Sequence, residues 1–161
     1  MTQKAKPSGR REFLKGVAFG GALAGVQLYQ GYGARRGAAP ELDVISLSAA
    51  LPPREGPRLV HFWATWCGVC HAMEHNIRAF DEGEATMVAS ASGSVADVRA
   101  WLSAENKSVD SVVVDRGGSA RTWGVAAYPT TYVISTEGEI RDVCVGYTTE
   151  LGLRLRLALA T

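Results

Sequence analysis

Two cysteines separated by two residues, Cys67 and Cys70, are the side chains of this sequence best suited to chemistry. At this spacing, two thiols can close a small disulfide ring, bind a metal ion or, where a histidine follows, attach a haem. Each use requires a different structure around the pair. The flanking sequence therefore indicates which chemistry applies.

The cysteine pair follows a predicted strand and begins a predicted helix. Residues 59–64 form a continuous apolar run, typical of a strand buried on both faces. The helix is predicted from residue 68 to about residue 80, with Cys70, Met73, Ile77 and Phe80 on one face and His71, His75, Arg78 and Glu82 on the other. At a helix N-terminus, free N–H groups and the helix dipole favour a thiolate. We therefore predict Cys67 as the exposed nucleophile and Cys70 as the resolving thiol.

Two other uses of the pair stay open. The sequence satisfies CxxCH, the c-type haem attachment motif, with His71 as the proximal iron ligand. A copper- or zinc-binding module is the second alternative, although a closed zinc site needs four ligands and only His71, His75 and the distant Cys144 remain. We favour disulfide exchange without a cofactor or a bound metal, because no haem-pocket pattern follows the motif.

The remaining elements predict an α/β fold. In chain order they are strand 86–89, helix 95–104 with Ser94 as cap and Asp97 in its first turn, strand 111–114, a helical turn at 120–123, strand 128–134, a hairpin turn at 137–139, strand 140–146 and a helix capped by Thr148 with Leu151, Leu155 and Leu159 at four-residue spacing. Strands alternate with helices first, and a hairpin and a helix close the chain. This order predicts a central mixed sheet flanked by helices on both faces.

Composition places one folded domain behind a basic N-terminal segment. The chain has 161 residues, 47% of them hydrophobic, and only three cysteines, which is too few for a disulfide-stapled scaffold. Five of the 17 Lys and Arg residues precede residue 16, against one of the 16 Asp and Glu residues. The remainder holds 12 basic and 15 acidic residues. It offers no basic patch for nucleic acid.

The N-terminus has the layout of an export signal. The order Arg10-Arg11-x-Phe-Leu-Lys precedes an uncharged, glycine-rich apolar run and resembles a twin-arginine signal. We assign residues 1–33 to this signal or to a membrane anchor, 34–57 to a linker with an edge element near 43–47, and 58–161 to the folded domain. Cleavage and anchoring both stay open. Either one places the domain in the periplasm, where disulfide exchange is ordinary chemistry.

The motifs resemble those of a known superfamily. The run from Phe62 to Cys70, Phe-Trp-Ala-Thr-Trp-Cys-Gly-Val-Cys, together with Tyr128-Pro129-Thr130, resembles thioredoxin-fold proteins. Within that superfamily it is similar to the exported disulfide reductases of the TlpA and DsbE type. The closing segment, residues 145–157, is most similar to the suppressor-of-copper-sensitivity D (ScsD) proteins. The resemblance covers roughly residues 58–160.

This resemblance implies roles for further residues. Pro129 matches the family's cis-proline beside the active-site disulfide, which prevents metal capture by the thiols. The backbone of Tyr128 would pair with an extended substrate segment, and Trp66 would form the rim of the same surface. The implied partners are protein thiol or disulfide substrates and a membrane electron donor that re-reduces the pair. We expect a monomer.

Two departures from the family concern the proton of Cys70. Thioredoxin has a buried aspartate six residues before its first cysteine, where this sequence has His61. The TlpA-type glutamate three residues after the second cysteine is replaced by Met73, and Glu74 follows one position later, turned about 100° around the helix. His61, Glu74 and water all stay open as proton acceptors.

The other candidate side chains are predicted to be structural. We interpret His61 as a core histidine hydrogen-bonded to backbone, and His71 and His75 as solvated helix positions. Cys144 is predicted to be buried in a strand without a redox role. Three tryptophans are expected to pack in the core or against helices, namely Trp63, Trp101 and Trp123.

Overall fold

The structure, a computed structural model, describes residues 37–48, 56–81 and 83–160. The predicted signal or anchor, residues 1–33, lies outside this described part. The elements are β1 (Gly37–Ala38), β2 (Val44–Ser46), β3 (Arg58–Trp63), α1 (Gly68–Arg78), β4 (Ala85–Ala89), α2 (Val95–Ala104), β5 (Val112–Asp115), α3 (Ser119–Trp123), β6 (Thr130–Ile134), β7 (Glu139–Val145) and α4 (Glu150–Ala158). None of the helices described here has the length and apolarity to cross a membrane.

One seven-stranded mixed sheet carries the fold, in the order β1-β7-β6-β3-β4-β5-β2. Strands β3, β4 and β5 are parallel neighbours. β6 runs antiparallel to β3, and β7 runs antiparallel to β6 and therefore in the direction of β3. Because right-handed crossovers that advance in one direction lie on one face, α1 and α2 share a face of the sheet. Buried residues of α4 join that face, whereas α3 covers the opposite one. The predicted mixed sheet with helices on both faces is confirmed.

The two edges of the sheet are formed by the chain that precedes β3. β1 pairs with β7 at one edge, and β2 pairs with β5 at the other. Between them, Ala39 and Leu42 pack against the core on the α3 face. β2 is the edge element predicted near residues 43–47. The sheet thus begins within the stretch predicted as a linker.

A cluster of three aromatic rings fills the α3 face. Trp123 contacts Phe62 and Tyr132 at centroid distances of 5.5 and 5.0 Å, and Phe62 lies 5.8 Å from Tyr132. The Tyr132 hydroxyl donates to the carbonyl of Trp123 at 2.7 Å. This bond satisfies a polar group that the sheet would otherwise bury unpaired. The predicted packing role of Trp123 is confirmed.

Helix α4 forms as predicted, but its cap and its buried face differ. Thr149 is the cap, since its side chain accepts from the N–H of Gly152, and Thr148 is buried with its carbonyl bound by the amide of Asn76. The buried leucines are Leu153 and Leu157. The leucines at four-residue spacing are exposed instead, Leu151 at 68%, Leu155 at 58% and Leu159 at 83%. Helix α4 has leucines on two opposite faces, and the face with Leu153 and Leu157 packs on the sheet. An ion pair between Arg156 and Asp142 also joins α4 to β7.

Candidate active site

The cysteine pair is built at the junction of β3 and α1. Cys67 is the N-cap of α1 in an extended conformation, with φ −91° and ψ 102°, and its Sγ accepts from the N–H of Cys70 at 3.2 Å. Cys67 and Cys70 form a disulfide, with their Cα atoms 5.2 Å apart. The sulfur of Cys67 thus faces the N-terminus of α1. After reduction, the helix dipole and this N–H favour a thiolate at Cys67.

Neither cysteine is widely exposed in the disulfide form. Cys67 is 6% exposed and Cys70 is 3% exposed, so the expectation of an openly exposed first cysteine is not met. The reason is that the Cys67 sulfur is bonded to Cys70 and turned into the cap of α1. The exposed surface around the disulfide is formed by neighbouring residues, with Trp66 at 65% and Val69 at 49% exposed.

The residues predicted to bind substrate lie at the same end of the sheet. Thr130 pairs in register with Phe62, which places Pro129 beside the end of β3 that leads into Cys67. The Tyr128–Pro129 peptide bond is cis, and the Pro129 carbonyl accepts from the N–H of Gly146 at 2.8 Å. The Trp66 ring meets the ring of Tyr128 edge-on at 5.8 Å. Trp66 and Tyr128 therefore form a continuous aromatic rim.

His61 is a buried histidine, and its partner is a side chain. It is 1% exposed, and its Nδ1 lies 2.8 Å from Oγ1 of Thr131, which corrects the predicted bond to backbone. Register pairs place His61, Thr131 and Cys144 in one row across β3, β6 and β7. Burial lowers the pKa of His61 to about 3, and the charge of Glu74 opposes this effect only in part. His61 is therefore neutral at neutral pH.

This buried histidine predicts a pH dependence of stability. The pKa of this histidine is about 6.5 in the unfolded chain and about 3 in the folded protein. Between these two pH values the unfolded chain binds a proton that the folded protein does not. The contribution of His61 to the free energy of unfolding is therefore complete above about pH 6.5. It falls as the pH is lowered, by up to about 1.4 kcal/mol per pH unit. We expect wild type to lose about 2 kcal/mol more than His61→Gln between pH 7 and pH 5, measured by urea unfolding. The exposed His75→Gln variant should keep the wild-type slope, and an unchanged slope in His61→Gln would disprove the assignment.

Glu74 lies one helical turn after Cys70 and is held as a carboxylate. Its Oε1 accepts from Nε of Arg78 at 2.7 Å, and its Oε2 pairs with Nζ of Lys107. Partial burial raises the pKa of Glu74, but the bonds and charges of Lys107 and Arg78 outweigh it and hold the pKa below its usual range. An efficient general base has a pKa near the working pH. Neither Glu74 nor His61 meets that condition.

His71 and His75 are exposed, as predicted, but the ring of His71 is engaged. Its Nε2–H donates to the carbonyl of Thr65 at 2.9 Å, and the ring lies 5.0 Å from that of Trp101. Trp101 also contacts Trp63 at 5.4 Å. Across residues 37–48, 56–81 and 83–160, no three His, Cys, Asp or Glu side chains form a group able to hold a metal ion.

One polar network at the ends of β4 and β5 was not predicted from the sequence. The carboxylate of Asp115, at the end of β5, accepts from the backbone N–H groups of Gly117, Gly118, Ser119 and Ala120. It also accepts from the hydroxyl of Ser90 at 3.1 Å, which joins the ends of β4 and β5. These bonds lower the pKa of Asp115, although burial acts in the opposite direction. An aspartate two residues before Gly117-Gly118 is a turn signal, but the bond to Ser90 spans 25 residues and leaves no local pattern.

Fold and site together define the class of protein. A disulfide between cysteines at the start of α1, a cis-proline at the start of the neighbouring strand and this order of strands make up a thioredoxin-like fold. The relatives place the chain within this class. It belongs to the AhpC/TSA family, which matches residues 38–143.

Two relatives and one solved structure give the extent of the similarity. The chain is 31% identical to the thioredoxin-like protein YneN of Bacillus subtilis over 152 residues, 84% of this chain and 89% of the relative. It is 35% identical to a thioredoxin-like protein of Haemophilus influenzae over 106 residues, 65% of this chain and 63% of that relative. A thiol:disulfide interchange protein DsbE from Chlorobium tepidum shares the fold, with a TM-score of 0.62, 21% identity and coverage of 79% and 98%. The chain is a thioredoxin-like thiol-disulfide oxidoreductase with the Cys67–Cys70 pair in CxxC spacing.

Proposed function

We propose that this protein is an exported protein-disulfide reductase of the TlpA and DsbE type, in which Cys67 attacks and Cys70 resolves. One observation carries the assignment of roles. The Sγ of Cys67 caps α1 and accepts the N–H of Cys70, while Cys70 lies one turn inward and is only 3% exposed. The positive end of the helix dipole and the free N–H groups of the first turn favour the thiolate at the sulfur that caps the helix.

The exchange balances without a cofactor. The Cys67 thiolate attacks one sulfur of a substrate disulfide, which forms a mixed disulfide and releases the other substrate sulfur as a thiolate. The Cys70 thiolate then attacks the Cys67 sulfur and releases the second substrate thiolate. The substrate gains two electrons, and the Cys67–Cys70 disulfide forms again.

The proton of Cys70 is assigned to water. His61 is buried with a pKa of about 3, and the charge of Glu74 is committed to Arg78 and Lys107. Both side chains are therefore poor acceptors at neutral pH, which leaves water from the three candidates.

The direction of electron flow is tested by the reduction potential of the pair. Equilibration of the protein with glutathione buffers, followed by alkylation and mass spectrometry, gives the fraction of oxidised Cys67–Cys70. A reductant should have a potential near that of thioredoxin, about −270 mV. A value near about −120 mV would make the protein an oxidant and reject the proposed direction.

Export is inferred from the N-terminal sequence, and re-reduction by a membrane donor is inferred from the resemblance to the TlpA and DsbE type. We assign the periplasm as the location, the twin-arginine-type segment within residues 1–33 as the signal or anchor, and a membrane electron donor as the source of electrons. The ScsD subfamily is supported by residues 145–157 alone. Replacing Arg10 and Arg11 with lysine should retain the protein in the cytoplasm of fractionated cells, and unchanged export would reject this signal.

A further inference from the structure

A cleft opens beside the aromatic rim, at the carboxyl ends of β4 and β5. Its volume is about 590 Å³, and its lining includes Ser90, Ala91, Arg121, Val125 and Tyr128. In open α/β sheets, ligands bind outside the carboxyl ends of parallel strands. The parallel strand β3 leads into Cys67 at this same end of the sheet. The cleft is therefore placed to hold whatever reacts at the disulfide.

Hydrogen bonds fix this cleft to the candidate active site. The indole Nε1–H of Trp66 donates to the carbonyl of Ala91 at 2.9 Å, on the cleft wall. The hydroxyl groups of Tyr128 and Ser90 are hydrogen-bonded, and Ser90 in turn donates to Asp115. Tyr128 thus belongs both to the rim and to the cleft. The rim and the cleft therefore adjoin at Tyr128.

The charges in the cleft differ in their availability. Asp115 already accepts five hydrogen bonds, four of them from backbone N–H groups. Arg121 of α3 is exposed, and its guanidinium forms no ion pair with any residue in the described part of the chain. The neighbouring Arg116 is paired with Asp43 at 3.5 Å. Arg121 is therefore the charge that a bound partner can neutralise.

We propose that this cleft is a specificity subsite for the protein substrate, in which Arg121 pairs with an acidic side chain near the reacting cysteine. The proposal rests on the proposed function, because it assumes a protein disulfide bound across Trp66 and Tyr128. An acidic side chain would bring its carboxylate against the exposed guanidinium of Arg121. A basic side chain would be repelled by the positive charge of Arg121.

The test uses two peptides, each closed by one disulfide, that differ only in carrying Asp or Lys beside the reactive cysteine. The full-length reduced protein should react with the Asp peptide about two- to fivefold faster in kcat/KM, the range of an exposed ion pair. Arg121→Gln should abolish this preference and Arg121→Glu should reverse it. The preference should also shrink as salt is added.

Arg141→Gln provides the matched control, since Arg141 is an exposed arginine on β7 that pairs with Glu139. It should leave the peptide preference unchanged. Equal rates for the two peptides, or an Arg121→Glu variant with the wild-type preference, would overturn the subsite alone. Failure of the wild type to reduce either peptide would overturn the proposed function itself.

Discussion

Cys67→Ser is expected to abolish disulfide exchange and to lower insulin reduction to the uncatalysed rate. The serine hydroxyl cannot form the thiolate that attacks the substrate. Cys70→Ser should instead retain the first step and stop there, because no second thiol resolves the mixed disulfide. Non-reducing electrophoresis and mass spectrometry should then show a substrate adduct on Cys67 that dithiothreitol removes.

Cys144→Ser is the matched control for both variants. Cys144 is 3% exposed, and burial raises its pKa to about 11, although Arg156 partly opposes this. At pH 7 about one molecule in ten thousand would carry its thiolate. The control should therefore keep wild-type exchange. An active Cys67→Ser variant, or a Cys70→Ser variant without adducts, would contradict the assigned roles.

Local signals made much of this protein predictable. The continuous apolar run predicted β3. The pair Ser94 and Asp97 predicted the start of α2, where the structure shows both hydrogen bonds of a capping box. The cysteine pair was placed at a strand-to-helix junction for the same reason. Each of these features depends on residues within a few positions of one another, so the chain itself carries the information.

Features set by distant contacts were not predictable. β1 has two residues, Gly37 and Ala38, too few for any periodicity, and it exists because β7 offers a free edge. The bond of His61 goes to Thr131, 70 residues away. Ser90 and Asp115, which both line the cleft beside Tyr128, are bonded across 25 residues. The sequence identified the cysteine pair, but not the cleft that lies at the same end of the sheet.

The second large prediction concerns the buried face of α4. Leucines occur at every second position of this segment, from Leu151 to Leu159. Successive helical residues are 100° apart, so Leu153 and Leu157 lie opposite the exposed set. Leu153→Ala should destabilise the protein by about 2–5 kcal/mol, because Leu153 is fully buried and its removal leaves a cavity. Urea unfolding followed by tryptophan fluorescence measures this loss.

Leu155→Ala is the comparison within the same helix, since it has the same chemistry and Leu155 is 58% exposed. Its free energy of unfolding should stay within about 0.5 kcal/mol of wild type. Any change in helix propensity is identical for the two variants, so the difference between them reports burial alone. Equal losses for Leu153→Ala and Leu155→Ala would mean that α4 docks through both leucine faces. A larger loss for Leu155→Ala would mean that the helix is rotated, with the four-residue stripe turned toward the sheet.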